Sequence, residues 1–584
     1  MRRTIYLLRY DLIGNNSDDI YNIFKNRGVN PDSVMKLNES ALHSPFLMKN
    51  MKESVELIHH YIENDDRLIA IQQDPDADGL TSTALMFMYL TDCYPELKER
   101  LRIFIQPGKA HGIQVNVLKD LIDKGEEFCL VIAPDCSSNE EDVHKEIKDL
   151  GVEVVVLDHH DADKYSEYAT MVNISLDDYP NKNLSGVGVC QKFAKAYDNT
   201  YGFDFADKYY DLVAVGLVGD MIELNTPEAM YMVQKGMKDV HTAFMKSMYK
   251  MKSYNLGDQI TPTGIAFYVV PLLNAVVRVG TIEEKQMLTE AMCTKVHKEV
   301  PSKKRGAKKG DTEIIQEQAI RILGNIKSRQ GREVDKAMEK LNAQIAENNL
   351  EQNQLILLDT KGEFPSEFNG LIANKFLQKY KKPVLIGREH IFDGQLVFSG
   401  SARGDDKSTL PNLKTFLNES GMVIYAEGHE AAHGFGIPAG TQQELVDYFN
   451  TKLAGEVFEP VYKLDFIINY SDVSIDNMLE ITRYATFWAR GLEEPVFLLK
   501  DVPVFKGDIE TSGSFDSQLV RFKSGPLQFV SFGVPMEKAV ALKQNQRTTI
   551  DVIGKVVMNT FNGETNLQVI VEDFEIKETQ QYYF

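Results

Sequence analysis

Short apolar runs recur through the first half of the chain, and three of them stop at charged residues. Leu68–Ile71 leads into Asp74-Pro75-Asp76-Ala77-Asp78-Gly79, Phe128–Ala133 ends at Asp135, and Val152–Leu157 ends at Asp158-His159-His160. Apolar runs this short and this continuous predict strands buried on both faces. Helical stretches lie between them, so residues 51–235 are expected to form a parallel α/β domain. Residues 1–50 show no clear pattern and read as a small N-terminal region. From 236 to 350 the pattern turns helical, and Glu313–Asn348, interrupted by Gly324 and Gly331, predicts a long connector helix or a helix pair. Gln354–Leu358 and Pro383–Ile386 predict strands of a second α/β domain over 351–455. Alternation in Leu519–Phe522, Leu527–Phe532 and Thr549–Ile553 predicts an all-β module over 456–584.

Strands that deliver carboxylates and imidazoles from their C-terminal ends describe the crevice of an open α/β sheet, where such folds bind ligands. So many acids at one place repel one another unless a multivalent cation neutralises them. Oxygen donors with one or two imidazoles suit Mg²⁺ or Mn²⁺ better than structural zinc. The bland alternative for Asp74–Gly79 alone is an acidic N-cap turn. Three such strand ends together point instead to a metal-dependent phosphoryl site.

These segments resemble the DHH phosphoesterase superfamily, and the wider pattern is similar to its RecJ branch of single-strand-specific exonucleases. Asp74–Gly79 resembles the first motif, Asp135-Cys136 the second and Asp158-His159-His160 the third. Leu184-Ser185-Gly186-Val187-Gly188-Val189 resembles the loop that follows, and Asp211–Asp220 the fourth motif. Pro271–Arg278 resembles a segment carrying Arg278 toward the substrate channel. Gly400-Ser401-Ala402-Arg403 and Gly428-His429 resemble the signature of the associated DHHA1 domain. Asn559–Gly563 with Gln568–Asp573 resembles the last hairpin of the family's OB-type barrel.

The resemblance implies a parallel-sheet DHH domain, a helical connector, a DHHA1 domain and a C-terminal all-β OB-type barrel. It implies 5′→3′ hydrolysis of single-stranded DNA with two Mn²⁺ or Mg²⁺ ions. Asp135 would bridge the ions; Asp76 and Asp78 would hold one each; His159 and Asp220 would complete the second site. Asp74 would add charge or a further ligand. His160 would donate to a phosphate oxygen, with Asp158 orienting the imidazoles. Ser401, Arg403 and His429 would grip a 5′-phosphate, and Lys109 would stand where the family places an Arg. A single-strand-binding protein is an implied partner. Gln72 departs from the family, which carries a metal-binding His there, and Gln72→His is expected to tighten metal binding. The alternatives are a DHH oligoribonuclease, a cyclic-dinucleotide phosphodiesterase, or a non-catalytic DHH scaffold in a replication or repair assembly.

Composition adds limits. The length of 584 residues suggests three or four domains. No run of 18 apolar residues occurs, so no membrane span is expected. Met1–Asp11 lacks signal-peptide features, and five scattered cysteines suit reduced thiols, so a cytoplasmic location is expected. The net charge of −21 argues against a broad nucleic-acid coat. The one dense basic cluster is Lys298, Lys303, Lys304, Arg305, Lys308 and Lys309, read either as a solvated loop or as a clamp over a single strand. His429-Glu430-Ala431-Ala432-His433 also satisfies H-E-x-x-H, which on a helix would hold zinc. The glycines and proline around it leave little room for that helix.

Overall fold

The structure, a computed structural model, describes residues 8–108, 111–514, 517–561 and 564–577. After a short strand β1 (Tyr10–Leu12), the catalytic-type domain is built on β2 (Leu68–Gln73), β3 (Leu101–Ile105), β4 (Phe128–Pro134), β5 (Glu153–Asp158) and β6 (Thr170–Asn173). All five run parallel in the order β3-β2-β4-β5-β6. Every residue of β4 is buried, as expected of a central strand covered by helices on both faces. From β2 the chain moves outward to β3, then returns to β4 on the other side of β2. The reversal makes the crevice between the C-terminal ends of β2 and β4 the topological switch point of the sheet. Helices Ala77–Cys93, Gly186–Tyr201 and Tyr210–Gly219 cover this domain. The last is buried along nearly its whole length, consistent with its apolar sequence on every face.

Short helices follow, then a small hairpin, β7 (Glu299–Pro301) and β8 (Thr312–Ile314), which carries the basic cluster at its tip. The connector is a single helix, Ile315–Glu347, of 33 residues. Neither Gly324 nor Gly331 interrupts it, because both have helical backbone and face open space. Pro262–Val279 is apolar enough by length and composition to cross a membrane. It is in fact two helices, Pro262–Tyr268 and Val270–Val279, more than half buried against the protein.

The second α/β domain is a mixed sheet of β9 (Ile356–Asp359), β10 (Val384–Phe392), β11 (Gln395–Arg403), β12 (Tyr425–Gly428) and β13 (Ala432–Pro438), ordered β12-β13-β11-β10-β9. Gly400 is fixed by close strand approach, since a Cβ there would lie 1.9 Å from the Ile386 carbonyl oxygen.

The C-terminal module contains β14 (Tyr462–Leu464) and a seven-stranded sheet. Its strands are β15 (Phe466–Asn469), β16 (Phe497–Phe505), β17 (Glu510–Ser514), β18 (Ser517–Ser524), β19 (Leu527–Val534), β20 (Arg547–Phe561) and β21 (Glu564–Ile576). It is not purely β, because helices Ile475–Arg483 and Met536–Leu542 pack on it. The turn of the last hairpin, 562–563, lies outside the described residues.

The expectation of a separate N-terminal region is corrected. β1 pairs in parallel with β14, and Ile20, Ile23 and Phe24 share a core with Trp488, Phe497 and Leu499 of the C-terminal module. Arg27 donates from Nε and Nη2 to both carboxylate oxygens of buried Asp465, each at 2.7 Å. Residues 8 to about 37 are therefore part of the last domain. All five cysteines are unpaired, and four are buried.

Candidate metal centre

The switch-point crevice collects the acids that the sequence singled out. Asp76 is the N-cap of helix Ala77–Cys93 and accepts from Gly79 N–H at 2.9 Å. Asp78, one turn inside, reaches across to the start of helix Gly186–Tyr201, where it accepts from Ser185 Oγ at 2.9 Å and Gly186 N–H at 2.7 Å. Asp135 follows β4 in the left-handed region at φ 64°. Three glycines make room for these groups. A Cβ at Gly79 would lie 2.5 Å from the Asp74 carbonyl oxygen, at Gly186 2.3 Å from Asp135, and at Gly216 2.3 Å from Asp78 Oδ1.

Three groups of donor atoms result, each within 4.8 Å: Asp74, Asp76 and Asp135; Asp78, His159 and Asp220; and Asp135, Asp158, His159 and His160. His159 Nε2 lies 3.4 Å from Asp135 Oδ1, 3.4 Å from Asp220 Oδ2 and 4.0 Å from Asp78 Oδ2. Both Asp135 carboxylate oxygens, Asp74 Oδ1 and His159 Nε2 are buried without a hydrogen-bond partner among the described residues. Buried donors and acceptors are otherwise almost always paired. Converging, unpaired oxygens plus one neutral imidazole nitrogen fit hard divalent cations. Asp135 is the one carboxylate shared by two of these groups, and His159 is likewise shared by two.

The charges show the same frustration. Burial, then the neighbouring Asp78, Asp76 and Asp74, holds the Asp135 carboxyl far above the usual carboxylate range. Burial raises Asp74 and Asp78 too, and burial with Asp78 and Asp76 pushes Asp220 up to about 8. Burial lowers His159, which favours the neutral, ligating imidazole. Asp158 differs. Burial opposes its charge, but the hydrogen bond from His160 and the charges of His160 and His159 prevail and hold it below the usual range. It accepts from Ser138 Oγ at 2.6 Å and pairs with His160 Nδ1 at 2.7 Å, which pushes His160 up to about 9.

Gln72 is buried, and its Oε1 accepts from Gln114 N–H at 3.0 Å. An imidazole that sequence reasoning missed sits beside the same acids: His111 Nδ1 is 2.7 Å from Asp74 Oδ2. Nothing in the spacing marks a histidine in the loop after β3. Asp211, at the head of the fourth motif, is structural and accepts from Leu212, His241 and Thr242.

The residues expected to meet substrate lie on other elements. Arg278, on helix Val270–Val279, is mostly buried and lowered by that burial, and its charge is felt at Asp76. In the same helix Asn274 Oδ1 accepts from Ala77 N–H at 3.1 Å, tying it to the first motif. Ser401 and Arg403 are alternate residues of β11, so they share a face, and Arg403 lies within the field of Arg278. His429 sits in the turn between β12 and β13. Arg490 was not legible in the sequence. It comes from the C-terminal module, and its charge acts on both Asp220 and His429. It borders a cavity of about 300 Å³ with Met221, Phe267 and Trp488. Lys109 lies outside the described residues. As the flanking glycines and proline indicate, His429–His433 is not a helix: these residues form the turn and first strand residues of a hairpin, and His433 Nδ1 contacts the His429 carbonyl at 3.1 Å.

Fold and site together define a DHH-type α/β protein extended by a second mixed-sheet domain and an OB module. Residues 68–217 match the DHH family N-terminal domain, and residues 464–573 match the RecJ OB domain. The putative SPbeta prophage-derived single-strand DNA-specific exonuclease YorK of Bacillus subtilis (strain 168) is 30% identical over 581 residues, covering 98% of this chain and 99% of the relative. The single-stranded-DNA-specific exonuclease RecJ of the same organism is 23% identical over 556 residues, 93% of this chain and 66% of RecJ. The crystal structure of RecJ in complex with Mn²⁺ from Thermus thermophilus superimposes with a TM-score of 0.70 at 18% identity, covering 99% of this chain and 81% of that one. The chain belongs to the RecJ branch of the DHH family.

Proposed function

We infer that the protein is a metal-dependent exonuclease that hydrolyses phosphodiester bonds of single-stranded DNA. The observation that carries this reading is Asp135, whose two oxygens are buried and unpartnered and which belongs to two of the three groups of ligating side chains. Two Mn²⁺ or Mg²⁺ ions, held by Asp74, Asp76 and Asp135 on one side and by Asp78, Asp135, His159 and Asp220 on the other, would acidify a water for attack on phosphorus. The protein's own groups do the rest. His160, kept protonated by Asp158, donates to a non-bridging phosphate oxygen. Arg278 and Arg490 flank the crevice from opposite domains and counter the phosphate charge.

Polarity would come from Ser401, Arg403 and His429 of the second α/β domain, with the Arg403 charge supplying the attraction for a terminal 5′-phosphate. An enzyme that grips this end removes nucleotides 5′→3′. The OB module favours a polymeric strand over a cyclic dinucleotide or a very short RNA. The test is a 5′-phosphorylated, 3′-labelled single strand incubated with Mn²⁺ or Mg²⁺, beside Asp135→Asn. Shortening from the 5′ end by the wild type alone is expected. Tight binding of the strand without cleavage by either metal would replace the reading with a DHH scaffold.

A further inference from the structure

The basic hairpin is far from the metal centre, and two helices measure the separation independently. From Asp78 to Asp92 helix Ala77–Cys93 advances 14 residues, about 21 Å at ~1.5 Å per residue. At its far end Asp92 pairs with Lys295, just before β7. Along the connector, Arg329 bonds the Val279 carbonyl beside Arg278, while Ile315, 14 residues earlier, bonds the Lys298 carbonyl at the hairpin base. That path also spans about 21 Å. The base of the hairpin is therefore anchored about 21 Å along each helix from the crevice.

The hairpin is nonetheless a built feature. Glu313, 5% exposed, anchors its base by accepting from Lys303 N–H at 2.7 Å, Gln318 Nε2 at 2.8 Å and Arg321 Nη2 at 2.7 Å. Gln318 also donates to the Pro301 carbonyl, and Gln316 to the carbonyls of Thr294 and Val296. Gly306 and Gly310 turn the tip with positive φ. On that anchored frame Lys303, Lys304, Arg305, Lys308 and Lys309 are all exposed. Among the described residues, no ion pair occupies Lys303, Arg305, Lys308 or Lys309. In a chain of net charge −21, such an isolated cationic projection focuses attraction for a polyanion at one place.

We propose that this hairpin is a second nucleic-acid contact that holds the backbone phosphates of the substrate strand outside the crevice. The proposal rests on the reading of the protein as a single-strand nuclease. Lysine-rich contacts of this kind are sequence-independent and strongly salt-dependent. At ~3.4 Å of rise per stacked nucleotide, a stacked strand needs about six nucleotides to cover the ~21 Å between crevice and hairpin base.

The test is binding of fluorescent oligo(dT) of about four and about thirty nucleotides to the full-length protein in chelator, over a range of salt. Wild type is compared with a variant carrying glutamine at 303, 304, 305, 308 and 309, and with one carrying arginine at all five. With glutamine the long strand is expected to bind at least tenfold more weakly. Its log K against log salt should lose up to about 3.5 units of slope, at ~0.7 per phosphate contact for five cations. The short strand should be unaffected, and the arginine variant should bind as wild type does. Equal loss for both lengths, or no loss for either, overturns the tether; in the second case an acidic protein becomes the candidate partner. If wild type cleaves the short strand once Mn²⁺ replaces the chelator, while the glutamine variant binds the long one unchanged in chelator, only the tether fails. If wild type neither binds nor cleaves either strand, the nuclease reading fails with it.

Discussion

A methyl group at Gly186 would lie 2.3 Å from the Asp135 carboxylate, so Gly186→Ala must displace the one acid shared by two of the ligand groups. Mn²⁺ affinity measured by calorimetry is expected to fall at least about tenfold, as for other disturbed ligand supports. Titration supplies a second expectation. Asp220 moves from an ordinary 3.8 to about 8 on folding, so the folded state keeps a proton that the unfolded chain releases. The Asp220 contribution to stability of the metal-free protein is then full below about pH 4 and is lost as pH rises through about 8. Bound Mn²⁺ should relieve that loss, so its increment in melting temperature should be larger at about pH 8.5 than at about pH 6. A constant increment would exclude these carboxyls as the binding site. His160 carries the opposite requirement. Its proton, held up to about 9 by Asp158, is present below that pH and lost above it. Cleavage should decline as pH rises through about 9, and His160→Gln should lower the rate and remove that limb. The ligand set was legible because each acid ends an apolar run or opens a helix. His111 and Arg490 were not, because their roles come from a loop fold and a domain docking that leave no period in the sequence.

Glycines mark the connector helix as interrupted only when read without their surroundings. Gly324 and Gly331 have no atom within 4 Å of a built Cβ and no positive φ. Gly324→Ala and Gly331→Ala should each stabilise the protein by about 0.5–1 kcal/mol in denaturant titration, through helix propensity. A loss in either variant would mean that the helix bends there in solution. The sheets were more legible than the helices' ends: the β2, β4 and β5 strands coincide with the apolar runs, since burial on both faces leaves few polar residues to blur the pattern. The H-E-x-x-H segment carries no zinc helix, as its flanking glycines and proline indicate, because a short motif fixes residue types and not the element that carries them. Here Gly428 at φ 122° turns the chain into a hairpin instead.

At the level of the whole molecule, the first residues close onto the last domain. Arg27 and Asp465 are nearly inaccessible, with side-chain exposures of 10% and 1%. Arg27→Ala would strand a buried carboxylate at a cost of about 3–5 kcal/mol. Early, separate melting of the C-terminal module by calorimetry is expected; a single unshifted transition would count against a buried, paired Asp465. The sequence hid this closure because partners about 450 residues apart share no local signal. The same pairing orders biosynthesis. The N-terminal segment leaves the ribosome first, yet β14 emerges only about 450 residues later, tens of seconds at ~5–20 residues per second. During that interval Ile20, Ile23 and Phe24 have no core to enter and stay exposed to solvent. The DHH domain, complete much earlier, can fold while its own leader still waits.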